Sequence, residues 1–342
     1  MLAGGSYLDL VPLFSVATSA LYLILDDFLD WVLASLEFPL VKWLQEGRWD
    51  ALQHLANQFA TRSDGVIDGV FGALDGLAAR IRCPTLKEVP DPGNYYCRKG
   101  FYALNVQAIC DRLKRFLWSY PSNKGSAHDS SAWANSRLCE LLKDPQILEE
   151  LRQRRLFLVG DSAYALALFM LIPFEVSEIQ GHPNKDARDA FNFYLSSCRI
   201  HIECAFGELV MRWGILWRSL RFSLAKSIKV INVCMLLHNF IVDHRQGDDT
   251  EDRQFFRQFQ IDMDQTQVQL TRITGEVPRV AITDNNGPRP AGRPTGEDNQ
   301  MKEEGRILRE YYTLQLQQMG MKRPLQNDMR RNSQGNVYLV GS

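Results

Sequence analysis

The sequence predicts an α/β fold, a mixed sheet flanked by helices, and three observations predict it. Two short apolar runs, Gly69 to Asp75 (GVFGALD) and Leu156 to Asp161 (LFLVGD), each end in a carboxylate beside a glycine, as a buried strand does when it delivers an acid to the open edge of a sheet. Between them, Gly100 to Cys110 alternates Phe101, Ala103, Asn105, Gln107 and Ile109 with Tyr102, Leu104, Val106, Ala108 and Cys110, a strand with one apolar and one mixed face. After them, Ala187 to Trp213 sets Phe191, Leu195, Cys198, Ile202, Ala205, Leu209 and Trp213 at steps of three and four, the buried stripe of a long helix.

In chain order, residues 1–62 read as a helical region. Phe14 to Trp31 carries apolar positions at helical spacing, and Ser15, Thr18 and Ser19 offer a turn and N-cap before Ala20 to Val32. From Ser63 the pattern changes to strands, and 63–245 reads as the main domain. Its strands are Gly69 to Asp75, Gly100 to Cys110 and Arg112 to Ser119. A polar loop, Asn123 to Ser130, leads into a helix over Ala132 to Leu142 with Asp129 or Ser130 as N-cap. Then come the strand ending at Asp161, the long helix, and an apolar helix over Val230 to Val242 that closes the core, with His238 and Asn239 as satisfied buried polar groups. Residues 246–342 form a polar, largely disordered tail. Within it Asn285 to Asp298 is a linker by its Pro and Gly content, and Glu303 to Met319 an amphipathic helix with Ile307, Leu308, Tyr311, Leu314 and Leu316 on its apolar side.

The 342 residues, 45% of them hydrophobic, suffice for one sizeable domain and an accessory region. A formal net charge of −1 supplies no global attraction to nucleic acid, so any such contact must come from local basic clusters. Seven cysteines without a framework spacing indicate free thiols in a reducing compartment. The apolar stretch Leu10 to Leu25 falls short of the ~20 residues that span a bilayer and lacks a preceding basic region, so no membrane association is expected.

Carboxylates at the ends of neighbouring strands repel one another unless a cation lies between them, and hard divalent ions favour such oxygen ligands. Asp75 and Asp161 therefore ask for a metal. Glu203, beside Ile202 at the edge of the long helix's stripe, is the third acid placed to join them. The competing reading pairs Glu203 with Arg199 one turn earlier, a contact worth roughly 0.3–0.5 kcal/mol.

Six collinear segments, GALDGLAARIRCP (Gly72 to Pro84), YYCRKGFYALNVQAICD (Tyr95 to Asp111), GSAHDS (Gly125 to Ser130), LFLVGDSAY (Leu156 to Tyr164), FNFYLSSCRIHIECAFGELVMRWGIL (Phe191 to Leu216) and MLLHNF (Met235 to Phe240), resemble the PIF/Harbinger DDE transposases and the nucleases derived from Harbinger transposases. The resemblance implies a ribonuclease-H-like catalytic domain, with which the order three strands, helix, strand agrees. It implies that the catalytic and metal-binding triad falls on Asp75, Asp161 and Glu203. Two divalent cations, Mg²⁺ or Mn²⁺, roughly 4 Å apart would be bridged by Asp161 and completed by Asp75 and Glu203, for cutting and joining DNA strands. It further implies terminal inverted repeats of a transposon as the DNA, a Myb/SANT-like DNA-binding partner protein, and the nucleus, with a cytoplasmic pool, as location. A homo-oligomer is compatible with all of this. Leu77 departs from the small polar residue usual in the family after Asp75 and Gly76. The alternatives are a domesticated, non-catalytic DNA-binding or scaffold protein that retains the fold, and a metal-dependent phosphoesterase for small substrates.

In that family the stretch YLDLVPLFSVATSALYLILDDFLDWV resembles a helix-turn-helix-like region. A recognition helix needs basic and amide side chains at its start, and Ser15 to Leu25 offers none, so a helical lid is the equal alternative. The chain opens almost inside this region, and the expectation is a truncated beginning. For DNA contact the best candidates are Arg98, Lys99, Lys114 and Arg115, among aromatic residues that include Tyr95, Tyr96 and Trp118. Asp129 reads as a helix cap with His128 packed beside it, in preference to a pair that holds a metal or orients DNA, and both stay outside the catalytic set. Cys198, His201 and Cys204 drift around a helix by about 60° per step and read as core residues rather than a zinc site.

Overall fold

In a computed structural model, residues 11–12, 14–244, 296–324, 329–331 and 337–339 are described. One compact unit comprises residues up to Val242 together with Ala291–Arg323. A second comprises Asp243–Pro290 and Pro324–Ser342, and its described residues include an antiparallel pair of three-residue strands, Met329–Arg331 and Val337–Leu339. The expected linker over Asn285 to Asp298 and the disordered tail fall mostly outside the described residues.

The first unit is built on five strands: β1 (Val70–Arg80), β2 (Ala103–Cys110), β3 (Phe116–Lys124), β4 (Phe157–Val159) and β5 (Met170–Leu171), in the order β3-β2-β1-β4-β5. β1, β2 and β3 form an antiparallel meander, while β4 and β5 run parallel to β1. This is the mixed, ribonuclease-H-like sheet expected from the sequence. β1 is central, and β2, with every residue buried, is an inner strand beside it. β3 is an edge, and Pro121 sits where its register with β2 slips, between the Asn105–Asn123 and Gln107–Tyr120 pairs. A proline cannot donate to a ladder and is tolerated at such a place.

Local boundaries differ from the sequence expectation in several places. β1 does not stop at Asp75 but continues five residues to Arg80, because the antiparallel partner β2 keeps pairing out to Ala103. Residues 111–115 form the turn of the β2–β3 hairpin, with Lys114 at φ 70, so β3 starts at Phe116 rather than Arg112. The helix expected over Ala132 to Leu142 is two, α4 (Asp129–Ala134) and α5 (Arg137–Leu142). Ser136 starts the second by accepting a hydrogen bond from Cys139 N–H at 3.1 Å. α6 (Pro145–Arg154), capped by Asp144, and the short α7 (Val176–Ile179) carry too few apolar residues for the periodicity to mark them.

The amino-terminal helices are α1 (Thr18–Ser35), α2 (Leu40–Gln45) and α3 (Trp49–Ala60). α1 has Ala17 at its N-cap and no side-chain cap, so Ser15, Thr18 and Ser19 do not act as expected; Ser15 instead forms a left-handed turn. α3 buries Leu52, Leu55, Ala56 and Phe59 and packs against β1. The long helix α8 (Lys185–Arg212) buries Phe191, Leu195, Cys198, Ile202, Ala205 and Leu209 against β1 and β2, the stripe read from its sequence except Trp213, which falls past the helix end and is only partly buried. α9 (Leu224–Asp243) is apolar and long enough to cross a membrane by composition, yet Val230, Ile231, Val233, Cys234, Met235 and His238 are buried within the fold. Lys226 and Lys229 of α9 pair with Asp26 and Asp30 of α1, the first at 2.7 Å.

α10 (Gly296–Gln318) begins earlier than the expected Glu303 and belongs to the first unit. It buries Leu308, Tyr312 and Leu316. The Tyr312 hydroxyl donates to Asp68 at 2.8 Å. Arg309, 4% exposed, stacks over Phe174 at 3.8 Å and donates to Glu178 at 2.6 Å. A helix whose polar face supplies such long-range partners is bound into the core and is not an appendage.

Candidate functional site

The positions of Asp75 and Asp161 follow from one register. β1 and β4 are parallel neighbours, with Ala73 paired to Val159. Side chains two residues further on lie on the same face, so Asp75 and Asp161 emerge side by side, Asp75 from within β1 and Asp161 just past the end of β4. Ala108 stands opposite Asp75 on β2 and leaves space over the carboxylate.

Asp75 accepts a hydrogen bond from the Gly76 N–H at 2.8 Å. Burial pushes its carboxyl up to about 7, against the pull of Gly76 and Arg199, and the neighbouring Asp161 and Asp129 add to the rise. Asp161 accepts from the Ala163 N–H at 2.9 Å. Burial raises its carboxyl above the ordinary range, with Asp129 and Glu203 contributing and Ala163 and Arg199 opposing. Asp75, Asp161, Asp129 and Glu203 thus lie within electrostatic reach of one another.

Glu203 faces the strands from α8, and Arg199, one turn earlier, joins them: its Nη1 lies 3.6 Å from Asp75 Oδ2 and contacts Glu203 Oε1. The pairing of Glu203 with Arg199 read from the sequence is present, and the same guanidinium also reaches Asp75. Among the described residues no three His, Cys, Asp or Glu side chains are drawn close enough together to hold a metal ion as they stand. The donor set nevertheless fits a hard divalent cation. It consists of carboxylate oxygens, and the two strand acids gain neutrality from burial that a cation would reverse.

A fourth carboxylate, Asp129, which the sequence assigns to a helix cap, lies near Asp75 and Asp161. Asp129 neither caps α4 nor lies apart; its Oδ1 accepts from Asn105 Nδ2 at 2.8 Å and Gln107 Nε2 at 2.9 Å, and Gln107 in turn accepts from the Tyr164 hydroxyl at 2.8 Å. The residue in the N-cap position is His128, which makes no side-chain cap and instead meets Arg98 Nη2 through Nδ1 at 2.5 Å. Gly76 makes room for this arrangement, because a Cβ there would fall 2.3 Å from Asp129 Oδ1. The signal was in β2: two amides, Asn105 and Gln107, share one face of an otherwise apolar buried strand, and buried amides need partners.

The basic candidates are differently employed. Arg98 borders the site through His128, while Lys99 stands in an exposed turn. Lys114 pairs with Glu208 of α8, and Arg115 donates to Asp111 at 2.7 Å, which spends part of both charges within the protein. Cys198 is buried and Cys204 exposed, so Cys204 is not the core residue expected; His201 stacks on Phe59 at 5.5 Å, and burial, with Arg62, Arg112 and Lys114 nearby, lowers it to about 3. His238 is satisfied, as expected: its Nε2 meets the Lys114 carbonyl at 3.0 Å and its Nδ1 meets Arg212 at 2.8 Å. Asn239 bonds both backbone groups of Phe116 at 2.7 Å, extending the edge of β3.

A family model described as a DDE superfamily endonuclease matches residues 74–239, which include all three acids. The chain is similar to "Putative nuclease HARBI1" of Xenopus laevis, 24% identical over 181 residues that cover 52% of this chain and 48% of that protein. The protein of the same name from Homo sapiens is 27% identical over 180 residues, 52% and 47% of the two chains. "Protein ALP1-like" of Arabidopsis thaliana is 27% identical over 194 residues, 54% and 46%. The chain thus spans about half the length of the curated relatives it matches. No solved structure matches it.

Proposed function

We propose, from the match of residues 74–239 to a family model described as a DDE superfamily endonuclease, that this chain is a transposase-derived, metal-dependent DNA endonuclease whose catalytic acids are Asp75, Asp161 and Glu203. The observation that carries the proposal is the β1–β4 register, which sets two half-buried carboxylates side by side, with Glu203 of α8 linked to Asp75 through Arg199. Mg²⁺ or Mn²⁺, when bound, would activate a water or a DNA 3′-hydroxyl and stabilise the leaving oxygen. Asp75, Asp161 and Glu203 would hold the ions through their carboxylate oxygens. Gly76 N–H and Ala163 N–H orient the two aspartates, and β1, β4 and α8 hold all three on rigid elements. The DNA backbone runs along Arg98, Lys99, Lys114 and Arg115. Terminal inverted repeats as substrate, strand joining in addition to cutting, a Myb/SANT-like partner, a homo-oligomeric assembly and a nuclear location with a cytoplasmic pool complete the proposal.

A non-catalytic DNA-binding protein that retains the fold is the second reading, and the Arg199 contact with Glu203 is the observation in its favour. Nicking of terminal-repeat DNA by the wild-type protein and by Asp161→Ala, with and without Mg²⁺, separates the two. The nuclease reading expects Mg²⁺-dependent nicking by the wild type, background cleavage by the variant, and DNA binding by both. Equal binding with no cutting by either protein establishes the second reading instead.

A further inference from the structure

We propose that Arg199 is the protein's own counter-cation for the catalytic acids, a positioning residue that a divalent cation must displace. The inference rests on the assignment of Asp75, Asp161 and Glu203 as metal ligands and concerns what occupies their carboxylates before the metal does. One guanidinium nitrogen reaches two acids from different elements: Asp75 Oδ2 on β1 at 3.6 Å and Glu203 Oε1 on α8. An ordinary pair at this helical spacing lies on the surface and joins only its own two residues. This one points at the sheet, with the Arg199 side chain 23% and the Asp75 side chain 21% exposed.

Guanidinium stays charged at all working pH values and, with five donors, is suited to bridging carboxylates. Placed between a strand acid and a helix acid, it offsets their repulsion and keeps Glu203 turned toward Asp75. A dication seeking the same oxygens meets a positive charge already beside them, and both cannot hold one carboxylate edge at once. Glu203, with 36% of its side chain exposed, marks the rim through which the arginine can swing outward. The cation then takes the oxygens the arginine leaves.

Titration of the full chain with Mn²⁺ by isothermal calorimetry, alongside melting curves, tests this on wild type, Arg199→Gln and Arg199→Lys. Arg199→Gln should bind Mn²⁺ on the order of tenfold more tightly than wild type, since a like charge near the ligands is gone. Its metal-free form should melt lower, and its gain in melting temperature on adding Mn²⁺ should be larger. Arg199→Lys, which keeps the charge, should restore affinity toward the wild-type value and serves if the glutamine variant folds poorly. Unchanged or weaker Mn²⁺ binding by Arg199→Gln, with wild type binding, overturns the proposal for Arg199 alone. No Mn²⁺ binding by any of the three proteins overturns it together with the metal-ligand assignment beneath it.

Discussion

Asp75→Asn is expected to raise the melting temperature of the metal-free protein by several degrees at pH 8 while abolishing metal-dependent cleavage. The cause is the cost of an ionised carboxylate where Asp75 sits. Its carboxyl titrates at about 7 in the fold, against 3.8 as an ordinary aspartate, chiefly because burial disfavours the charge and secondarily because Asp161 and Asp129 repel it. A carboxyl raised in this way binds its proton more tightly folded than unfolded. Its penalty is absent below pH 4, grows as pH rises from about 4 to 7, and is complete above 7. At 1.36 kcal/mol per unit the full penalty is on the order of 4 kcal/mol, and each kcal/mol is worth roughly 2–4 °C in a domain of this size. Asparagine keeps the shape and can still accept from Gly76 N–H, so it removes the charge and little else. Thermal melts of both proteins at pH 5 and pH 8 without metal, then with Mn²⁺, decide the matter. The advantage of the variant should be large at pH 8, small at pH 5, and accompanied by loss of the stabilisation that Mn²⁺ confers on the wild type. Identical melting of the two proteins at pH 8 would show that Asp75 is not held as described.

Gly69→Ala is expected to be among the most destabilising single substitutions in the chain. A Cβ at Gly69 would lie 1.9 Å from the carbonyl oxygen of Arg155, 2.7 Å from the Phe157 ring and 3.0 Å from the Tyr312 hydroxyl. The first of these is backbone and cannot rotate away. Gly69 O also accepts the Phe157 N–H at 2.9 Å, so the chain crowded by the new methyl is the start of β4 itself. Relief requires β1 and β4 to part, at a cost of about 3 kcal/mol or more. The same displacement would separate Asp75 from Asp161, so Mn²⁺ affinity should fall in whatever fraction remains folded. Gly207→Ala is the control. It lies within α8, near its carboxyl-terminal end, with nothing within 4 Å of the new Cβ, and should be neutral or stabilising by roughly 0.5–1 kcal/mol. Chemical denaturation of the three proteins compares them; a Gly69→Ala midpoint equal to that of wild type would refute the tight β1–β4 contact.

These two expectations rest on features of unequal visibility in the sequence. The stripe along α8 was legible because helical burial repeats every three or four residues, and α8 occupies nearly the span its stripe indicated. The acids were legible as chemistry, through apolar runs that break at Asp75 and Asp161 and through six collinear segments shared with a family. The end of β1 was not: GLAAR, after Asp75, is too small and too mixed to announce a strand, and only pairing with β2 extends it to Arg80. Asp129 was assigned to a helix cap because capping is the commonest local use of an aspartate there, whereas its partners, Asn105 and Gln107, are more than twenty residues away. Likewise nothing in the polar face of α10 announced that Arg309 would be buried over Phe174 or that Tyr312 would bond Asp68.

The sequence by itself determined what short-range regularity can carry: the α/β class, the long helix, and the residue types from which a metal-dependent site could be made. Only the tertiary structure decided the company those residues keep. The β1–β4 register, the guanidinium set between Asp75 and Glu203, and the burial that raises the Asp75 carboxyl all depend on contacts between distant parts of the chain. The electrostatic energy of a carboxylate is set by the charges and solvent a few ångströms away in space, and sequence separation does not record them.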